Sequence, residues 1–190
     1  MKQVEVCLNK QNENLLMEAE KSLKNKHVAF IGGCAECRKD LLNTVVLRIS
    51  GDFKVYRLAK GITSYEEYLQ SIRKVFPIKI LGYSSLDDRQ LDDVQLDWLS
   101  FYKEKILIVI EEIGHFQNKN DLFEIITHYV SWKDYIEKEH WDTYFRLLFS
   151  SSTYLDDYYF LYHDKIYKEN KDHSQKHLQI IKIYDCTREA

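Results

Sequence analysis

The chain has 190 residues, 45% of them hydrophobic, with four cysteines and a formal net charge of −3 at pH 7; this suffices for one substantial core, so a single domain over residues 1–190 is expected. The slight acidity excludes a global attraction to nucleic acid and leaves room only for a local patch, with contact expected to be indirect, and one proline with six glycines excludes a linker-rich chain. No apolar run of membrane length, no signal peptide after Met1-Lys2-Gln3-Val4 and no disulfide framework predict a cytoplasmic protein without membrane contact.

Residues 1–26 are polar apart from Leu15, Leu16, Ala19 and Leu23, whose helical spacing predicts a helix packed beside the first strand. Val28-Ala29-Phe30-Ile31 is a short unbroken apolar run, the pattern of a strand covered on both faces. Gly32-Gly33 breaks it. From Arg38 onward Leu41, Leu42, Val45, Val46 and Ile49 recur at helical spacing. Residues 53–58 alternate and suit a second strand. Ser64-Tyr65-Glu66-Glu67 approximates a capping box and opens a helix through Tyr68, Leu69, Ile72, Val75 and Phe76, stopped by Pro77.

Residues 78–93 read as an irregular acidic excursion, and 94–102 as a helix with Val94, Trp98 and Phe101 on its apolar side. Residues 106–110 are the most hydrophobic run of the chain and end abruptly in Glu111-Glu112. A helix through Leu122, Ile125, Ile126, Tyr129 and Val130 follows. Residues 144–149 form another buried strand, ending in Ser150-Ser151-Ser152-Thr153, and 178–184 a last one. Strands alternating with helices predict a three-layer α/β fold with a mainly parallel sheet of about five strands. The strands at 28–31 and 106–110 are expected among its central ones. Ligands in such sheets sit at the carboxyl ends of strands, here Gly32-Gly33, Glu111-Glu112 and Ser150-Ser151-Ser152.

Strand, glycine turn and a helix with Arg38 and Lys39 near its start form the layout of a phosphate-binding loop, where backbone N–H groups and a helix end cradle an anion. Basic side chains at a helix start oppose the macrodipole and call for a reason. A phosphate would be one. The Walker A pattern is G-x-x-x-x-G-K-[ST]. Begun at Gly32, it places Cys37 at the second glycine, Arg38 at the lysine and Lys39 at the hydroxyl. Begun at Gly33, it keeps Lys39 but places Arg38 at the second glycine and Asp40 at the hydroxyl. Either register loses the glycine that lets backbone approach phosphate and the hydroxyl that holds Mg²⁺. Asp40 could ligate the ion, but would also repel phosphate.

A glycine turn after the first strand, an acidic pair after the most buried strand and a serine cluster after the next resemble, in that order, the P-loop NTPase core. More narrowly, residues 15–185 resemble AAA-type and STAND-type ATPase domains with a degenerate Walker A motif. The resemblance implies ATP and Mg²⁺ as cofactors, with Gly32, Gly33, Arg38, Lys39 and Asp40 around the nucleotide. It implies Glu111 in the Mg²⁺ shell, Glu112 as catalytic base, and Ser151 or Ser152 as the sensor near the γ-phosphate. Arg146 and Arg188 become candidates for an arginine finger, and no separate lid or winged-helix domain is expected. The degenerate loop predicts weak or absent nucleotide binding, little hydrolysis, and action through a protein partner or a second copy, in a DNA-related or defence system. The alternative is an active enzyme in which Lys39 contacts the β/γ-phosphates and Glu112 activates water.

Other chemistries compete for the same residues. Cys34-Ala35-Glu36-Cys37 is a C-x-x-C between a strand and a helix, the thioredoxin-type layout, with Pro77 as a candidate cis-proline. Cys34 and Cys37 could instead bind zinc with His173 and His177. The aromatic group Trp141, Tyr144, Tyr154, Tyr158, Tyr159, Phe160 and Tyr162 reads either as packing or as a protein interface.

Overall fold

In a computed structural model the described residues are 10–58, 60–75, 105–113, 121, 125, 144–152 and 178–184. The elements are α1 (Lys10–Leu23), β1 (His27–Gly32), α2 (Ala35–Ile49), β2 (Lys54–Arg57), α3 (Tyr65–Val75), β3 (Lys105–Ile113), β4 (Tyr144–Ser151) and β5 (Leu178–Ile183). The five strands form one sheet in the order β2-β3-β4-β1-β5, and every pairing is parallel. The expected α/β architecture is present, with β1 and β3 both interior. The excursion at 78–93, the helix at 94–102, Pro77, Trp141, Tyr154 to Tyr162, His173, His177 and Arg188 lie outside the described residues, as does most of the expected helix after β3, of which Asp121 and Ile125 are helical.

Period-two alternation explains why β1 and β3 read as unbroken apolar runs. Ala29, Ile31, Ile106, Ile108, Ile110, Phe145, Leu147 and Phe149 face one side and pack with Tyr68, Leu69 and Ile72 of α3. Val28, Phe30, Leu107, Val109, Leu148, Ile181 and Ile183 face the other and meet Leu16, Ala19 and Leu23 of α1 and Leu41, Leu42, Val45, Val46 and Ile49 of α2. Both faces are therefore apolar, and all functional chemistry is displaced to the strand ends. Helix α3 starts as its sequence suggests: Ser64 Oγ accepts the Glu67 N–H at 3.2 Å. The Glu67 carboxylate reaches one residue further back than a capping box requires, to the N–H and hydroxyl of Thr63. Among the described residues no helix is long and apolar enough to cross a membrane.

A buried arginine and a half-buried tyrosine stand at the amino end of β4. Arg146 keeps 4% of its surface exposed and donates to the carbonyls of Leu23 at 3.1 Å, Lys24 at 3.1 Å and Phe145 at 2.7 Å. Its guanidinium lies 3.8 Å from the Tyr144 ring centroid, and the Tyr144 hydroxyl donates to the Leu23 and Lys24 carbonyls as well. Leu23 ends α1, whose last carbonyls lack intrahelical donors and carry the negative end of its dipole. Arg146 is thus the cap of α1, at the amino end of the sheet, with its guanidinium engaged by carbonyls of this chain. Replacing it by Ala leaves those carbonyls buried without a charged donor, and hydrogen bonds to charged groups are worth about 1.5–3 kcal/mol. Arg146→Ala should lower the unfolding free energy by about 3 kcal/mol in urea titration; an unchanged midpoint would contradict the capping role.

Candidate functional site

The site begins where β1 runs out. Gly32 and Gly33 have φ of 82° and 61°, a left-handed conformation that side-chain-bearing residues adopt at a cost. Gly33 is also tightly packed, since a Cβ on it would stand 2.5 Å from Cγ2 of Ile183 at the end of β5. Cys34 then caps α2 in extended conformation, its sulfur accepting the Cys37 N–H at 3.1 Å. The glycines are thereby accounted for by the turn and by the seat against β5.

Arg38 is the residue the turn closes on. It is 3% exposed, on the inward face of α2 with Leu41, Leu42 and Val45. Its Nη1 donates to the carbonyls of Gly32 at 2.8 Å and Gly33 at 2.6 Å. Its Nε and Nη2 donate to the two carboxylate oxygens of Glu112, at 3.0 and 2.8 Å. The guanidinium fork thus joins the ends of β1 and β3 through a bidentate pair, the strong form of this contact. Lys39 and Asp40 are exposed on α2, outside the inward-facing set.

The end of β3 is bent to meet it. Register against β4 shifts between Ile110 and Ile113, so Glu111 and Glu112 sit in a bulge. Glu112 has φ of 56°, unusual for a residue with a side chain and found where surrounding contacts over-determine the backbone. Its N–H donates to Ser150 Oγ at 3.0 Å, and Ser151 Oγ donates to the Ile113 carbonyl at 3.2 Å. Ser152 follows the end of β4, partly buried. Glu111 lies 3.2 Å from Lys60 Nζ, and its carbonyl accepts the Gly61 N–H. The glycine turn, the Glu111-Glu112 pair and Ser150-Ser151 therefore meet at one sheet edge.

The cation at this edge is engaged within the chain rather than held open for an anion. A cradle directs N–H groups and a free cation at the anion. Here the carbonyls of Gly32 and Gly33 point at Arg38, Arg38 is spent on Glu112, and the Cys37 N–H is spent on Cys34. Glu36 in the first turn of α2 adds a negative charge. Nor do the carboxylates form an open Mg²⁺ site, because Glu112 is paired to Arg38 and Glu111 to Lys60; no group of three or more metal-ligating side chains occurs among the described residues. As arranged, the residues do not fit Mg·ATP. Ser150, which steadies the Glu112 backbone, belongs to the expected serine cluster, though the sensor role is expected of Ser151 or Ser152. Its signal was its position opposite the acidic pair, one strand over.

No protein-family model matches the sequence, and no curated protein matches it. Solved structures do resemble the fold. Cdc6p from Pyrobaculum aerophilum superposes with a TM-score of 0.56 at 12% identity, over 90% of this chain and 44% of that one. ORC2 from Aeropyrum pernix, solved in ADPNP–ADP complexes, gives 0.53 at 12% identity over 95% and 49%. A structure of Drosophila ORC bound to AT-rich DNA and Cdc6 gives 0.53 at 11% identity over 94% and 57%. The chain thus spans about half the length of the chains it matches. The fold, a five-stranded all-parallel sheet with helices on both faces, is similar to that of these structures. A thioredoxin-type fold is not what carries the C-x-x-C, since β3 is an interior strand of an all-parallel sheet.

Gly33→Ala combines positive φ with a collision against a branched carbon of Ile183. It should cost about 2–3 kcal/mol of stability. Ile183→Ala in the same chain should recover part of that loss, measured by denaturant titration of both single variants and the double. Strict additivity would show that the glycine is not seated on β5.

Proposed function

We propose that the chain is an AAA/STAND-type ATPase-like domain with a degenerate phosphate loop, which acts through assembly with a protein partner or a second copy of itself. The observation that carries this reading is the Arg38–Glu112 pair with its two glycine carbonyls. A general base needs a carboxylate oxygen within reach of water, and both oxygens of Glu112 are engaged by the guanidinium. Phosphoryl transfer depends almost wholly on positioning and electrostatics; the loop lacks the hydroxyl that would hold Mg²⁺, and its buried cation, Arg38, is engaged by Glu112. Lys39 stands exposed, outside the inward face that Arg38 occupies. With the chemistry lost, the retained scaffold serves recognition, and the assembly of ORC with Cdc6 in a similar structure supports a protein partner; nucleic acid would be reached through that partner.

Calorimetry with Mg·ATP at millimolar concentration, on the wild-type chain and on Lys39→Ala, separates the readings. The degenerate domain should give no binding isotherm in either. A micromolar dissociation constant that weakens at least about tenfold in Lys39→Ala would instead establish an active nucleotide site with an atypical loop.

A further inference from the structure

The cysteine pair at the start of α2 has chemistry that the proposed function does not use. Cys34 is exposed and Cys37 half-buried, and neither is in a disulfide. The Cys34 thiol lies against Cys37 Sγ, and the Cys37 N–H at 3.1 Å holds the Cys34 sulfur in that direction. The turn itself is fixed from both sides. Gly33 is wedged against Ile183, and Arg38, next in sequence to Cys37, is anchored at four points to Gly32, Gly33 and Glu112. Two thiols held in contact on a rigid turn are pre-organised for bond formation, because the entropy of bringing them together has already been lost in folding.

We propose that Cys34 and Cys37 form a reversible dithiol–disulfide switch, oxidised by small-molecule disulfides of the glutathione type. Cys34, the exposed sulfur, reacts first. Its thiolate attacks one sulfur of the oxidant, the oxidant's disulfide bond breaks, and one thiolate leaves while a mixed disulfide forms on Cys34. Cys37 gives its proton to solvent and attacks the Cys34 sulfur, expelling the second thiolate. The protein loses two electrons and two protons in all, and the oxidant becomes two thiols. The product is a disulfide across the first turn of α2. This inference rests on the cysteine geometry and not on whether nucleotide binds.

The test uses the full chain carrying Cys7→Ser and Cys186→Ser, so that only these two thiols report. It is incubated with glutathione disulfide, quenched by acid and read by peptide mass. The expected product is a Cys34–Cys37 peptide lighter by two hydrogens and restored by dithiothreitol. Cys37→Ser should stop at a glutathione adduct on Cys34, and Cys34→Ser should react at least about tenfold more slowly. The folded chain should also close the bond at least about tenfold faster than the same chain in urea. Separate glutathione adducts accumulating on both cysteines, or equal closure rates folded and in urea, would overturn the proposal.

Discussion

Arg38 carries a permanent charge into a place where only 4% of its side chain is exposed, and a charge taken out of water must be matched or it destabilises the fold. The surrounding edge meets that requirement. Glu112 supplies the countercharge in bidentate geometry, and the two glycine carbonyls take a third guanidinium nitrogen. For Glu112 to reach it, β3 has to bulge and adopt positive φ; for the carbonyls to reach it, β1 has to end in two left-handed residues. The serines of β4 then satisfy the backbone groups that the bulge displaces from the ladder. The geometry of the whole edge follows from one buried guanidinium.

This gives the same P-loop-like scaffold a different electrostatic meaning. In an anion cradle the positive charge is poised for a ligand. Here it is already neutralised within the chain, with the acid that the resemblance makes the catalytic base. One N–H of the helix end, that of Cys37, is likewise taken within the chain by the Cys34 cap. Such an edge is suited to fixing structure, and to presenting an exposed dithiol on a rigid support.

Much of the fold was legible because burial on both faces leaves an unmistakable imprint: 28–31 and 106–110 could only be strands with apolar layers above and below. The glycine turn was legible too, and so was the fact that basic residues at a helix start need a partner. The identity of that partner was not, since Arg38 and Glu112 are 74 positions apart and only the strand order brings them together. Which basic residue turns inward was readable in principle. Arg38 stands at i with Leu41, Leu42 and Val45 at i+3, i+4 and i+7, whereas Lys39 breaks that phase. Matching a motif by its lysine drew the eye to Lys39, while helix phase pointed to Arg38. Arg146 shows the same lesson in a strand. It shares parity with Leu148, which packs toward α1 and α2, so its side chain belongs to the helix it caps.

The central claim is that Arg38 and Glu112 are bound to each other strongly enough to close the edge. A double-mutant cycle measures this directly, using urea unfolding of the wild-type chain, Arg38→Ala, Glu112→Ala and the double variant. The pair should show a coupling energy of about 2 kcal/mol or more, with the double variant more stable than the sum of the single losses allows. Additivity within about 0.5 kcal/mol would contradict the account, because the two side chains would then be spending their charge elsewhere.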